Sequence, residues 1–440
     1  MTKLEPYAAY KSSGIPWIGE VPSQWDLLPS KRVLRFAKEI VGDRHGQFSR
    51  LSLTMAGVLP RSKESADGLS PESFSTYQIL RPDELVFKMI DLENRKTSRV
   101  GISGDIGLVS SAYIVARTTS RFLPKFAYYF FTSLYNEGVY NQLGSGVRST
   151  LNADDLGRIP VPIPSHIEQS SIVSFLDRET AQIDDLIGKQ EQLIELLAEK
   201  RQAIITHAVS RGLDPTAPTK PSGVPWQGSV PEHWSVQPLK NLMRMQTGVT
   251  LGKDFVEDVT ETYAYLRVAN VQVGYVDLND VKEIDLPPEV AAASMLQPGD
   301  VLMTEGGDRD KLARGCIWDG SISPCVHQNH IFAVRTGPQL LSSFLVLLLD
   351  ADPARTYFYL TAKQSTNLAS TNSTTVKRFR FGLPPISEQR HIVEHLSVKI
   401  HQIDALVKKT RGVTTVLSER RSALISAAVT GKIKIQEGDA

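Results

Sequence analysis

The chain writes one Trp- and Pro-rich phrase twice, SGIPWIGEVPSQW from Ser13 to Trp25 and SGVPWQGSVPEHW from Ser222 to Trp234. Eight of thirteen positions agree, where ordinary residue frequencies give about one. A second block repeats as well: the 48 residues from Ile163 align without a gap on those from Leu383, shifted by 220. Self-similarity on this scale makes the chain a tandem duplication, so any fold it adopts must be built from two related halves.

The second block predicts a long helix in each half. Ile172, Leu176, Ile183, Leu186, Leu193, Leu197, Ile204 and Ala208 keep a three-and-four spacing interrupted by Thr180, Gln190 and Arg201, and Ile392, Leu396, Ile403, Leu406, Val413, Leu417, Leu424 and Ala428 repeat it. That spacing lays an apolar stripe along a helix and asks for a partner surface. Ser165 and Glu168 form a capping box at the first start. Pro385 replaces the serine in the second copy, where Glu388 still sits in the first turn, favoured by the helix dipole. Gly212 and Gly431 mark the ends, giving about 42 residues and roughly 60 Å each. Residues 165–211 hold eight acidic and five basic groups, and 385–431 hold four and seven, net −3 and +3. Opposite charge favours pairing the two stripes with each other over self-pairing. Gly412 and the β-branched run after it are poor helix formers, so packing must hold that stretch.

Between phrase and helix the texture changes. Runs such as LSLTM, SAYIVAR, TYAYLRVANVQV and HIFAVR predict short strands, with helical insertions at FAYYFFTSLYNEGVYNQL and SSFLVLLLDADPARTYFYL. The middles share only echoes, LRPDELVF against LQPGDVLM and NADDLGRIPVPIP against NSTTVKRFRFGLPP. One fold with two different surfaces is the simplest account. The expected fold class is α+β: two tandem mixed α/β domains, separated and followed by long helices. The expected boundaries are 1–25 (phrase), 26–164 (first domain), 165–212 (central helix), 213–234 (linker and phrase), 235–384 (second domain), 385–432 (C-terminal helix) and 433–440 (tail).

Hydrophobic content of 41%, charged content of 22% and a mean hydropathy of −0.16 fit a soluble globular protein. No apolar run approaches the ~20 residues of a membrane helix and no signal core precedes the first phrase, so a cytoplasmic protein without a membrane partner is expected. Cys316, Cys325, His327 and His330 fall within fifteen residues, but structural zinc usually pairs cysteines two to four apart. The stretch reads as a hairpin around DGSIS with Cys325 as a small apolar residue, and no metal site is expected.

No Walker A loop, dinucleotide-binding glycine motif or methyltransferase Pro-Pro-aromatic loop is present, and the Pro-Asp of RPDELVF reads as an acidic turn before a strand. No catalytic residue is expected. Polar loops instead carry the residue types that bond phosphates and base edges. In the first half these are Arg95, Lys96, Arg99, Arg148, Ser149, Thr150 and Asn152. The second half offers Arg309, Lys311, Arg314, Asn329, Asn367, Asn372, Lys377 and Arg378. A net charge of +1 neither requires nor excludes DNA.

With the doubled phrase and the helix starts PSHIEQSSIV and PPISEQRHIV in view, the chain resembles the specificity subunits of type I restriction-modification systems over essentially its whole length. The resemblance implies a non-catalytic subunit whose variable middles are target-recognition domains for double-stranded DNA. It implies helices that form an antiparallel coiled-coil spacer and dock two modification (methyltransferase) subunits through the apolar stripe. Restriction (endonuclease/translocase) subunits join in the full complex. No cofactor is then bound directly, and S-adenosylmethionine serves the partners' adenine methylation. A stand-alone nuclease and a protein-binding coiled-coil scaffold are the other classes the sequence leaves open.

Overall fold

The computed structural model describes residues 6–435 except 56, 62–73, 94–96, 144–149, 251–258, 308, 310, 311 and 365–368. It forms two compact units, residues 1–191 with 411–440, and residues 192–410. Each long helix is therefore shared, giving its first half to one unit and its second half to the other.

In unit 1 the phrase folds as a hairpin of β1 (Tyr10–Ser12) and β2 (Glu20–Pro22), with Tyr10 opposite Pro22. β3 (Asp26–Pro29) follows and pairs antiparallel with β12 (Pro160–Ile163), so the start and end of the globular region are joined. Between them lies an antiparallel sheet of β4 (Leu34–Phe36), β8 (Leu85–Phe87), β9 (Val100–Ile102) and β11 (Ile114–Thr118), in the order β4-β11-β8-β9. Two further pairs are β5 (Leu51–Thr54) with β6 (Gly57–Pro60), and β7 (Gln78–Leu80) with β10 (Gly107–Val109). The helices are α1 (Pro124–Asn136), α2 (Val139–Leu143), α3 (Ala153–Arg158) and the first half of α4 (His166–Arg211). Pro124 pre-sets the first turn of α1, and Phe126, Phe130 and Phe131 of that helix are fully buried. They share one core with Trp25, Ile172, Leu176, Ile425, Ala428 and Val429.

Unit 2 repeats this frame. β13 (Thr219–Pro221) and β14 (Ser229–Pro231) form the phrase hairpin, and β15 (Ser235–Pro238) pairs with β26 (Arg380–Leu383). The sheet of β16 (Met243–Thr247), β19 (Val301–Thr304), β21 (Gly315–Ile317) and β23 (Ile331–Thr336) runs β16-β23-β19-β21, the same order strand for strand. The additions differ. β17 (Glu261–Leu266) sits between antiparallel β18 (Lys282–Leu286) and parallel β22 (Cys325–His327). A small sheet joins β20 (Gly306–Gly307), β25 (Ala369–Ser370) and β24 (Lys363–Gln364). The helices are α5 (Pro288–Ser294), α6 (Ser342–Asp350), α7 (Asp352–Thr361), α8 (Ser373–Arg378) and α9 (Ile386–Val429), whose first half belongs here. Trp234, Ile205, Ala208, Val209, Ile392 and Leu396 share its main core.

The long helices outrun their expected length, at 46 and 44 residues. Gly212 and Gly431 terminate them with φ of +76° and +73°, a backbone that disfavours any Cβ. One expectation is corrected. The cysteine stretch is no hairpin, because the strand of Cys316 pairs with β19 while that of Cys325 pairs in parallel with β17. Both cysteines instead serve as apolar filling, and burial pushes each thiol up to about 12.

Candidate nucleic-acid interface

The doubled phrase and the helix starts prove to be one device, made twice. In unit 1 the fully buried Trp25 donates its indole N–H to Glu168 Oε1 at 3.2 Å, while Glu168 Oε2 accepts the Ser165 backbone N–H at 3.0 Å in the expected capping box. In unit 2 Trp234 donates to Glu388 Oε2 at 3.1 Å, and His233 Nε2 lies 2.8 Å from the same oxygen. The helix ends return to the same tryptophans. A Cβ on Gly431 would lie 3.0 Å from Trp25 and one on Gly212 3.5 Å from Trp234. Each phrase thus clasps the start of one long helix and the end of the other.

The glutamine beside each glutamate completes the clasp. Gln169 and Gln389 are fully buried. Gln169 accepts the Leu123 N–H at 2.8 Å and donates to the Arg121 and Pro164 carbonyls at 2.9 and 3.0 Å. Gln389 accepts from Leu341 at 2.9 Å and donates to Gln339 and Pro384, both at 2.9 Å. Leu123 and Leu341 are the residues capping α1 and α6, so one amide ties the long helix to the helix that backs each sheet. The sequence motif was visible, but this role depends on partners nearly fifty residues away.

The LRPDE and LQPGD echoes form a third matched feature. Glu84 accepts the Arg81 N–H at 2.8 Å and pairs with Arg117 of β11. Asp300 accepts the Gln297 N–H at 2.9 Å and takes both arms of Arg335 of β23 at 2.8 and 2.7 Å. The acidic turn before a strand is thus a buried anchor for the sheet's central arginine.

The loop residues expected to meet DNA separate into several groups. Arg95, Lys96, Arg148, Ser149, Lys311 and Asn367 lie outside the described residues. Arg99 is corrected: it is 1% exposed and donates to the carbonyls of Ile90 and Asp91, holding its own loop together. Asn152 and Asn372 each serve as a helix N-cap. Asn152 Oδ1 accepts from Asp154 and Asp155 at 2.9 and 3.0 Å, and Asn372 Oδ1 accepts from Thr375 at 2.9 Å. The shared Asn is a start signal for α3 and α8. Thr150 is exposed, and Asn329 is half-buried with its backbone N–H on the Val249 carbonyl at 3.0 Å.

In unit 2 the remaining cations do gather. Arg309 stacks 4.0 Å from the Tyr359 ring centroid and bonds the Tyr359 carbonyl at 3.2 Å and Gln364 at 3.3 Å. Beside it Arg314, Arg355, Thr356, Tyr359 and Leu360 line a concavity of about 360 Å³. Tyr359, 46% exposed, offers a ring with a guanidinium on it, the kind of platform on which a base or a sugar-phosphate can rest. Lys377 and Arg378 are exposed in the last turn of α8, where the dipole favours cations.

Of the helical stripe, Ile172, Leu176 and Ile183 in unit 1 and Leu197, Ile392, Leu396 and Ile403 in unit 2 are buried, with Ile204, Leu417 and Leu424 half-buried. Leu186, Leu193, Leu406 and Val413 are more open, 39–51% exposed. The stripe closes where a helix half lies against a globular core and opens toward mid-helix. In unit 1 Asp184 of α4 takes both arms of Arg421 of α9 at 2.8 and 3.1 Å, a cross-helix pair of the expected signs. Among the described residues there is no cluster of potential metal ligands and no helix long and apolar enough to cross a membrane. Burial lowers the His327 pKa to about 4.

Twin clasps around unlike surfaces define a class, an internally duplicated protein with two equivalent helix-tied units, and several known proteins are similar to it. A model described as the type I restriction modification DNA specificity domain matches residues 91–196. The EcoKI specificity subunit of Escherichia coli K12 is 22% identical over 311 residues, 69% of this chain and 64% of its own. The EcoBI specificity subunit of Escherichia coli is 26% identical over 289 residues, 63% and 59% of the two chains. This chain thus spans less than two thirds of the length of these curated relatives. A solved chain described under the structural basis of complex assembly and conformational transition of the type I R-M system shares the fold, with a TM-score of 0.61 at 14% identity over 93% of this chain and 98% of its own. The chain is similar in sequence to type I restriction enzyme specificity subunits over these spans.

Proposed function

We propose that the chain is the non-catalytic DNA-recognition subunit of a type I restriction-modification complex, each unit reading one half of a bipartite, asymmetric target. The observation that carries this is the matched clasp around mismatched surfaces. A duplex backbone has local two-fold symmetry, so two copies of one frame can approach it equivalently. Because β5–β6 in one unit stands against β17–β18–β22 and the Arg309–Tyr359 platform in the other, the two half-sites differ. In this reading the recognition domains span 26–164 and 235–384, and α4 and α9 pair antiparallel to set the unread gap. The open mid-helix leucines support docking of two modification subunits there, which bring S-adenosylmethionine chemistry and are joined by restriction subunits in the cytoplasm. Affinity would come from phosphate contacts and specificity from base edges.

Selection of a random duplex library by the assembled complex tests it. Two short fixed motifs at a constant separation are expected. One contiguous motif would reject the bipartite reading, sequence-independent capture would point to a scaffold, and plasmid cleavage by the purified chain with Mg²⁺ would point to a nuclease.

A further inference from the structure

In unit 2 three elements bring side chains together over one exposed ring. The loop from β19 to β21 sets out through β20, which pairs with β25 as β25 pairs with β24. Its base is fixed further, because the Glu305 N–H donates to the His330 carbonyl at 2.9 Å and the Thr371 N–H to the Glu305 carbonyl at 2.8 Å. The loop returns through Leu312 and Ala313, both buried, with Ala313 at a φ of +60°, a left-handed backbone that residues other than glycine rarely adopt. Strain of this kind persists only where the surroundings over-determine it. From this loop Arg309 lays its guanidinium on Tyr359 of α7, 4.0 Å from the ring centroid. Nε donates to the Tyr359 carbonyl at 3.2 Å, and Nη1 to Oε1 of Gln364 on β24 at a longer 3.3 Å. The three groups that hold it are neutral, and together they fix the plane of the guanidinium. Tyr359 is 46% exposed and Gln364 is exposed, so the assembly faces solvent. The matched loop of unit 1 turns its Arg99 inward onto the Ile90 and Asp91 carbonyls, so one loop serves the interior in one unit and the surface in the other.

With Nε directed at the main chain, the edge that can meet two acceptors side by side is Nη1–Nη2. Such a fork fits the O6 and N7 of guanine in the major groove or two oxygens of a phosphate. Preorganisation decides between them. Neutralising a phosphate needs only charge, which a mobile side chain supplies, whereas reading a base edge needs a fixed plane, and a guanidinium already seated on a ring loses less freedom in providing it.

We propose that Arg309 reads one guanine in the half-site of unit 2, Nη1 and Nη2 donating to its O6 and N7, and that Tyr359 is the positioning residue that holds the fork in plane. This rests on the DNA-recognition reading and assigns one position of the target to one side chain. The test selects random duplexes with the full chain assembled with its modification subunits. The wild-type complex should require G at one position of the second half-motif. Arg309→Ala should lower that preference about 5- to 150-fold and leave the other positions, the first half-motif and the separation as they were. Arg309→Lys keeps the charge without the fork and should lose the G as well. Tyr359→Ala should relax the same position and Tyr359→Phe should keep it, a readout that a general loss of stability would not confine to one base. A second half-motif without G in the wild type, or an unchanged preference in Arg309→Ala, would overturn the proposal. So would uniform weakening on every sequence with a slope of log K against log salt flatter by about 0.9, restored by Arg309→Lys, which marks a phosphate contact. A wild-type complex that selects no sequence at all would overturn the DNA-recognition reading, and this proposal with it.

Discussion

The two units agree wherever a residue ties the frame together and disagree wherever one faces outward. Trp25 and Trp234, Gln169 and Gln389, Glu84 and Asp300, and Asn152 and Asn372 occupy matched places with matched hydrogen bonds. The two-stranded β5–β6 hairpin of one unit and the three-stranded β17–β18–β22 sheet of the other differ in strand count, and the latter adds a parallel pairing of β17 with β22. The lesson is that duplication here preserves the polar ties inside the frame, which fail if half-satisfied, and leaves the outer additions free to diverge.

That comparison can be broken most forcefully at the buried amides. Gln169→Ala and Gln389→Ala should each cost about 3–4 kcal/mol in chemical denaturation, since three hydrogen bonds go and buried groups are left unpaired. Unequal costs would mean the matched geometry is not matched energetically. Acid should separate the units. His327 is the one fully buried histidine among the described residues, in unit 2. With its folded pKa lowered to about 4 from an ordinary 6.5, the unfolded chain binds the proton first as pH falls. Stability from this group is complete above about 6.5 and is lost, by about 3 kcal/mol, on descending to about 4. His327→Gln should flatten the acid limb in unfolding measured from pH 7 to 4.

Smaller asymmetries follow at the glycine ends. A Cβ on Gly431 would meet Pro22 at 2.3 Å, whereas one on Gly212 meets first the end of Glu388 at 3.0 Å. Gly431→Ala should therefore cost about 3 kcal/mol, adding overpacking to left-handed strain, and Gly212→Ala about 1–2 from strain alone. Melting of the two variants gives the ranking. Asn152→Ala and Asn372→Ala should each lose about 1 kcal/mol of stability as lost caps and leave the salt dependence of DNA binding unchanged. The smallest effect belongs to Arg421→Ala, below about 1 kcal/mol and shrinking further in high salt, because its pair with Asp184 is partly exposed.

The frame was legible in the sequence because it is local and repeated. The doubled phrase, the helix periodicity, the Ser165 cap and the terminal glycines need only neighbours a few residues away. The Gln169 and Gln389 ties were not legible, because their partners are set by tertiary packing. The N-cap roles of Asn152 and Asn372 were not singled out, because the side chain that recognises a base edge is also a preferred helix cap. Arg99 was misread because a basic loop looks alike whether its guanidinium faces water or its own carbonyls. The cysteine stretch misled because the partners of β21 and β22 are distant in sequence.

The proposed function requires that two equivalent frames carry two independent readers. Exchanging residues 26–160 for the corresponding region of a related subunit, then mapping methylated sites, tests it most directly. One half of the target should change while the other half and the separation stay fixed. A change in both halves, or in neither, would contradict the account.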